Sequence, residues 1–422
     1  MMRTIRTLLA SALLLGGATV AATAGTMSSE MTVSAQDFDE FLPQVAYNPL
    51  HQEYLVVWHD NSGFQSRSVM GRRIDRFGHL QAEFVIAFNA TRDSFQPAVA
   101  YDPVRDRYLV VFGRDCFGDG SDMDVWGRLV PWSGPSGALT EFAINTWGSH
   151  QWNPKVAYAN TQQEFFVTWV NEDQSGAVPT YVSGIRLSPL DGTAMASAML
   201  IASGAEHRHS PEIAYNHSRN EYLIVYEMLN GVQGDIMAVR LNAGGSILGG
   251  GEFAVAAWPD TEEYPTVAAS PEANKYLVVW HSDTPSDARD VYGRFVNGDG
   301  SIDGGPVHFA WTPTNEQYPA VASLGDGRFF VAWEEQYSSL SGPFGVQGQG
   351  IGADHSLDPR VEVRGVYAGE DPACQDIAAV GGGGTAMVVW EQTRSPGGYQ
   401  DIHGRMVYDL FGDGFESGNL SQ

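Results

Sequence analysis

The chain predicts an all-β fold, a seven-bladed β-propeller with four antiparallel strands per blade, and three markers in common register carry that expectation. A proline opener recurs every 54 to 57 residues, at Pro43, Pro97, Pro154, Pro211, Pro265 and Pro319, with Gln375 in the seventh place. An aromatic residue closes an apolar run 14 or 15 residues later, at Trp58, Phe112, Trp169, Tyr226, Trp280, Trp333 and Trp390. A small residue then marks a third segment, at Gly71, Gly127, Gly184, Ala238, Gly293, Gly348 and Gly404. Units of this length cannot bury their apolar faces alone, so they must stack on one another.

Each unit reads as four strands in order. The first two, QVAY and YLVVW in the first unit, are nearly continuous apolar runs, the pattern of strands buried on both faces. Between them, stretches such as Asn-Pro-Leu-His-Gln-Glu supply tight-turn chemistry. The third strand (VMGRRI, VWGRLV, VYGRFV, IHGRMV) is more polar, and a glycine-containing turn leads to a fourth such as EFVI or EFAV. Polarity therefore rises outward along the blade. The last unit has no such fourth segment after Gly404, whereas Glu30-Met31-Thr32-Val33 has the pattern ahead of the first unit. An N-terminal strand is thus expected to complete blade seven and close the ring without an open edge.

Residues 1 to 24 read as a signal peptide, because Arg3 and Arg6 precede the apolar stretch Leu8 to Ala22 and Ala22-Thr23-Ala24 forms an A-x-A cleavage site. No Pro-rich, Ser-rich or charged linker divides residues 25 to 408, which read as one propeller, with 409 to 422 as a tail. No later segment is apolar for long enough to be a transmembrane segment, so the expected location is secreted, periplasmic or cell-envelope. A net charge of −26 repels phosphate backbones and excludes nucleic acid as a partner. The two cysteines, Cys116 and Cys374, fall in blades that are not neighbours; free thiols are the default, a disulfide stays open, and neither lies in a nucleophile motif.

Binding residues favour long loops on a rigid scaffold. Here the loops joining second to third strands are long and variable, including Asp60 to Ser68, Arg114 to Asp124 and Ser282 to Asp290, and they share one face of the channel. Three sets of residues belong to that face. Phe41, Phe95, Trp152, Tyr264 and Tyr318, with His209 and Cys374 near the equivalent places, precede the inner strands. Flat rings there could stack on the C–H face of a sugar or wedge between blades. Asp115, Asp119, Asp122 and Asp124 form an oxygen-rich loop that could hold calcium, although no closing glutamate of an EF-hand follows. Asp124 also recurs as Asp235, Asp290 and Asp401, which points to a structural role, bonding loop amides, with Arg72, Arg128, Arg294 and Arg405 as their expected partners. Finally, His59, Glu227, His281, Glu334 and Glu391 directly follow the second-strand aromatic. They are either acid–base groups or hydrogen-bonded strand ends, and no HExxH, Ser-His-Asp order or paired-carboxylate motif accompanies them.

The repeat, VVW, an acidic loop, then Asp-Val-Tyr-Gly-Arg or Asp-Ile-His-Gly-Arg, resembles the repeats of secreted bacterial β-propeller proteins over residues 30 to 408. It lacks the Trp-Asp signature of WD40 units, the paired glycines of kelch units and the Asp-box of sialidases. The stretch Asp413-Gly414-Phe415-Glu416-Ser417-Gly418 is similar to a short ending of exported gammaproteobacterial proteins. The resemblance implies fold and cell-envelope location, not activity. The function expected is that of a secreted, monomeric, non-catalytic binding propeller, its partner a polysaccharide or cell-surface protein, with no cofactor apart from the calcium option. The rival is a polysaccharide lyase or glycoside hydrolase on the same face, by analogy of fold alone.

Overall fold

Seven antiparallel sheets surround one axis in the computed structural model, which describes residues 26–61, 66–118, 120, 122–134, 140–148, 150–173, 178–231, 233–283, 288–310, 312–337, 343–366, 377–382, 384–393 and 398–408. The expected leader and tail, Gln375 and Cys374 lie outside these residues. Blade one shows the pattern: an inner strand Glu40–Asn48, a second Glu53–Asp60, a third Ser68–Asp75 and an outer Phe84–Ala87. The inner strands touch in a closed cycle, with Ile377–Gly382 of blade seven against Glu40–Asn48 of blade one.

The second-strand runs are buried, every residue of Glu53–Asp60 among them. The inner strands, expected to be buried on both faces, are only half-buried at positions such as Gln44, Val45 and Tyr47, because one face lines the channel. Burial of the second strands on both faces follows from the stacking of blade on blade. The core divides into seven clusters, one at each seam between blades. In each, the second-strand aromatic packs into the preceding blade: Trp58 against Val33, Met387 and Val389, Trp169 against Val111 and Val125, and Trp390 against Phe330 and Val346. All five second-strand tryptophans are fully buried.

The third strand must leave room for this packing. A Cβ on Gly348 would lie 2.3 Å from Phe330 Cζ, and one on Gly71 would lie 2.6 Å from Ile86 Cδ1. In four blades an arginine follows this glycine and reaches the preceding blade. Nη1 of Arg72, Arg128, Arg294 and Arg405 donates to the carbonyls of Val33, Ile86, Val255 and Val363 at 2.6, 2.6, 2.8 and 2.5 Å. This corrects the expectation that these arginines pair with the recurring aspartates. Asp124 and Arg128 are four residues apart on one strand, a span of roughly 13 Å at the rise of extended chain.

Closure uses both ends of the described chain. Met31–Ser34 pairs with Gln400–Tyr408, with Met31 opposite Gly404, and so supplies the outer strand of blade seven. Thr26–Met27 extends along the same strand, with Thr26 opposite Tyr408.

Candidate functional site

A repeated backbone distortion builds the channel mouth. In blades one to six the inner strand loses register at the proline, between Phe41 and Gln44, Phe95 and Ala98, Trp152 and Lys155, His209 and Glu212, Glu263 and Thr266, and Gln317 and Ala320. The residue before each proline has a positive φ: Leu42 52°, Gln96 49°, Asn153 52°, Ser210 47°, Tyr264 52° and Tyr318 49°. Non-glycine residues seldom adopt this region, so its recurrence marks a built feature.

The bulge makes the two residues ahead of the proline inequivalent. All six left-handed residues line one cavity of about 650 Å³ in the channel. The predicted aromatic ring therefore splits into two sets. Tyr264 and Tyr318 occupy the left-handed position, whereas Phe41, Phe95, Trp152 and His209 stand one residue earlier. Trp152 and His209 still reach the cavity; Phe41 and Phe95 do not line it. Phe41 stacks on His59 at 5.4 Å, and Phe95 is buried over Gly113, whose Cβ would meet its ring at 2.9 Å. Trp152 and His209 meet across their seam with centroids 5.4 Å apart, and Tyr264 and Tyr318 meet edge-on at 5.0 Å. Aligning the units on the proline would have separated the two columns in the sequence. The cavity opens where the long loops lie, since the start of the inner strand pairs with the end of the second, Glu40 opposite Asp60.

A left-handed residue turns its N–H out of the ladder, and a buried N–H needs an acceptor. In blades one, three, five and six the acceptor comes from the preceding blade. Glu391 Oε1 accepts Leu42 N–H at 2.6 Å, His281 Nδ1 accepts Tyr318 N–H at 3.3 Å, and the Glu227 carboxylate accepts Tyr264 N–H. Blade two has Gly113 at this place, and there Gln96 Oε1 takes over, accepting Asn153 N–H at 3.0 Å. Glu227, His281 and Glu391, which resembled acid–base candidates, are thus clasps for the next blade, whereas His59 and Glu334 make their contacts within their own blades. Glu334 accepts Gln317 Nε2–H at 3.1 Å. Burial pushes the His59 imidazole down to about 3 and lowers that of His281, so both stay neutral behind the channel wall.

The cavity wall is acidic. Lys155 Nζ is 2.6 Å from Glu212 Oε1, and Glu227 and Glu263 stand beside Tyr264. Burial, then the nearby charge of Glu263, raises Glu227 to about 7. Burial and then the neighbouring His207 lower His209.

The aspartate loop of blade two is organised around its own backbone. Asp115 accepts the amides of Phe117, Gly118 and Gly120 at 3.2, 2.8 and 2.7 Å. The free thiol of Cys116 donates to Asp124 at 2.7 Å, and burial, then that carboxylate, pushes it up to about 12. Asp119 lies outside the described residues. Of the recurring aspartates expected at loop amides, Asp124 takes a thiol, and Asp290 lies 3.5 Å from His308 Nε2. Among the described residues, the group whose ligand atoms converge within 4.8 Å is Glu263, His281 and Asp283. Its chemistry does not suit a metal ion. With Nδ1 accepting an amide, the His281 proton sits on Nε2, 3.5 Å from Glu263, and Asp283 is held by Arg289 Nε at 2.6 Å.

No protein-family model and no curated protein matches the chain. Among solved structures it is similar to the polysaccharide lyase Uly1, with 9% identity, a TM-score of 0.56, and coverage of 91% of this chain and 100% of that one. It is also similar to a protein of unknown function from Dyadobacter fermentans, with 13% identity, TM-score 0.51, and 76% and 96% coverage. A third is the Dos1 propeller, at 9% identity, TM-score 0.50, and 90% and 95% coverage. At such identities the likeness shows the propeller fold alone. Fold and site together define a seven-bladed propeller with an aromatic and acidic cavity at its channel mouth.

Proposed function

We propose that the chain is a non-catalytic glycan-binding propeller, acting outside the cytoplasm, that holds a polysaccharide at the channel mouth on the long-loop face. The carrying observation is that Trp152, His209, Tyr264 and Tyr318, from four blades, line one cavity. Tyr264 is 46% exposed, so its ring is open to a ligand. A sugar offers an apolar C–H face to such rings and hydroxyls to the carboxylates around them.

One observation favours the enzymatic rival: Glu227 and Glu263 line the same cavity, and Glu227 is raised to about 7. Against it, His281 is a buried clasp, His59 is buried against Phe41, and burial, then Tyr264, pushes the Tyr318 hydroxyl up to about 12. Incubating the protein, expressed with its own leader, with a polysaccharide panel tests both readings at once. Retention without product release is expected, lost in Tyr264→Ala and Trp152→Ala with an unchanged melting temperature. Oligosaccharide release abolished by Glu227→Gln would replace the binder with a hydrolase or lyase. Retention on no glycan would overturn the reading in favour of a surface-protein partner.

A further inference from the structure

Two glutamates line the cavity next to Tyr264. Glu263 precedes Tyr264 in the chain, and the Glu227 carboxylate accepts the Tyr264 amide. The cations near them are already engaged. Lys155 is salt-bridged to Glu212 at 2.6 Å, and Arg289 is bound to Asp283 at 2.6 Å and to Gln317 Oε1 at 2.7 Å. His281 faces Glu263 with a neutral Nε2–H at 3.5 Å. The wall thus presents Glu212, Glu227 and Glu263 against one lysine, with His209 shifted toward its neutral form.

We infer that the glycan held here is an amino sugar with free, unacylated nitrogens rather than a uronate, sulfated or phosphorylated glycan. This deepens the glycan-binding reading and rests on it. An ammonium between Glu227 and Glu263 would make charge-assisted hydrogen bonds to both. The repulsion between the two carboxylates, which helps to raise Glu227, would be relieved by that charge. An anionic sugar in the same place would meet the like charges of Glu227 and Glu263, which selects against it.

The net charge of −26 attracts any polycation, so the test must separate site from surface. Titration calorimetry at about 0.15 M salt, where exposed charges are screened beyond about 8 Å, would use short oligomers of equal length. These are a β-1,4-linked glucosamine hexamer, its fully N-acetylated counterpart, a neutral glucose hexamer and a galacturonate hexamer. The amine oligomer is expected to bind about tenfold or more tightly than the acetylated one, the size of a lost charged hydrogen bond, and the uronate not at all. Glu263→Gln and Glu227→Gln should bring the amine oligomer down to the acetylated level. Asp191→Asn, a remote exposed carboxylate, should change nothing. Equal or tighter binding of the acetylated, neutral or uronate oligomer overturns the inference and leaves glycan binding standing. Unchanged affinity in both glutamine variants, or an equal loss in Asp191→Asn, also overturns it. Binding of none of the four sinks the glycan reading itself.

Discussion

Trp280 illustrates what a single residue does in this ring. It ends an apolar strand of blade five, yet it is fully buried among Leu223, Val225 and Ile236 of blade four. Trp280→Ala is expected to lower unfolding free energy by about 3–5 kcal/mol, the cost of removing a large core side chain, measured by urea denaturation. Gly348→Ala tests the opposite fault. Its new methyl meets the buried Phe330 ring, so a loss of about 1–3 kcal/mol is expected, smaller when combined with Phe330→Leu. These residues were legible in the sequence because they recur at fixed spacing from unit to unit. Tyr264 and Tyr318 were legible as aromatics near the mouth, but not as the pair placed in the channel by the bulge. A proline cannot announce that the residue before it turns left-handed, since prolines also open ordinary strands.

The bulged inner strand works together with its neighbour. A side chain of one blade satisfies the displaced amide of the next, as Glu391 does for Leu42 across the closing seam. Glu391→Ala should leave that N–H without its acceptor and cost about 1–3 kcal/mol, while Glu391→Gln keeps an acceptor and should cost less; thermal melts distinguish them. The contact spans most of the chain, which is why spacing alone suggested acid–base chemistry for the same set of residues. Deleting residues 26 to 36 removes the outer strand of blade seven and its packing of Met31 and Val33 on Met387 and Ile402. A sharply lower melting temperature is expected. An unchanged melt would show that the ring does not depend on this closure.

At the scale of the whole molecule, three buried glutamates, each three residues before an inner-strand proline, set a pH dependence. Burial, above all, pushes Glu40, Glu262 and Glu316 from the ordinary 4.5 up to about 8, with Asp401, Asp235 and Asp290 nearby. A carboxyl raised in the fold binds its proton more tightly there than in the unfolded chain. Its stabilising contribution is complete below 4.5 and is lost as pH rises through 8. Glu227 acts in the same sense, with its loss centred near 7. The buried histidines act oppositely: His59, lowered from 6.5 to about 3, contributes stability above 6.5 that is lost on acidification. Between pH 6.5 and 8 the carboxyl effect acts nearly alone, so the melting temperature should fall across that interval. A triple Glu→Gln variant at positions 40, 262 and 316 should flatten the fall; a profile that rises instead would contradict the burial argument.

The pairing of Thr26 with Tyr408 has a consequence for connectivity. Cα atoms directly opposite on antiparallel strands are about 5 Å apart, so a short linker could join them. The described chain is topologically close to a circle cut at one seam. A circular permutant that joins these residues and opens between Ala256 and Thr261, ahead of blade five, should keep every blade-to-blade clasp. In such a molecule the order of blades would be cyclic, and any seam could serve as the beginning.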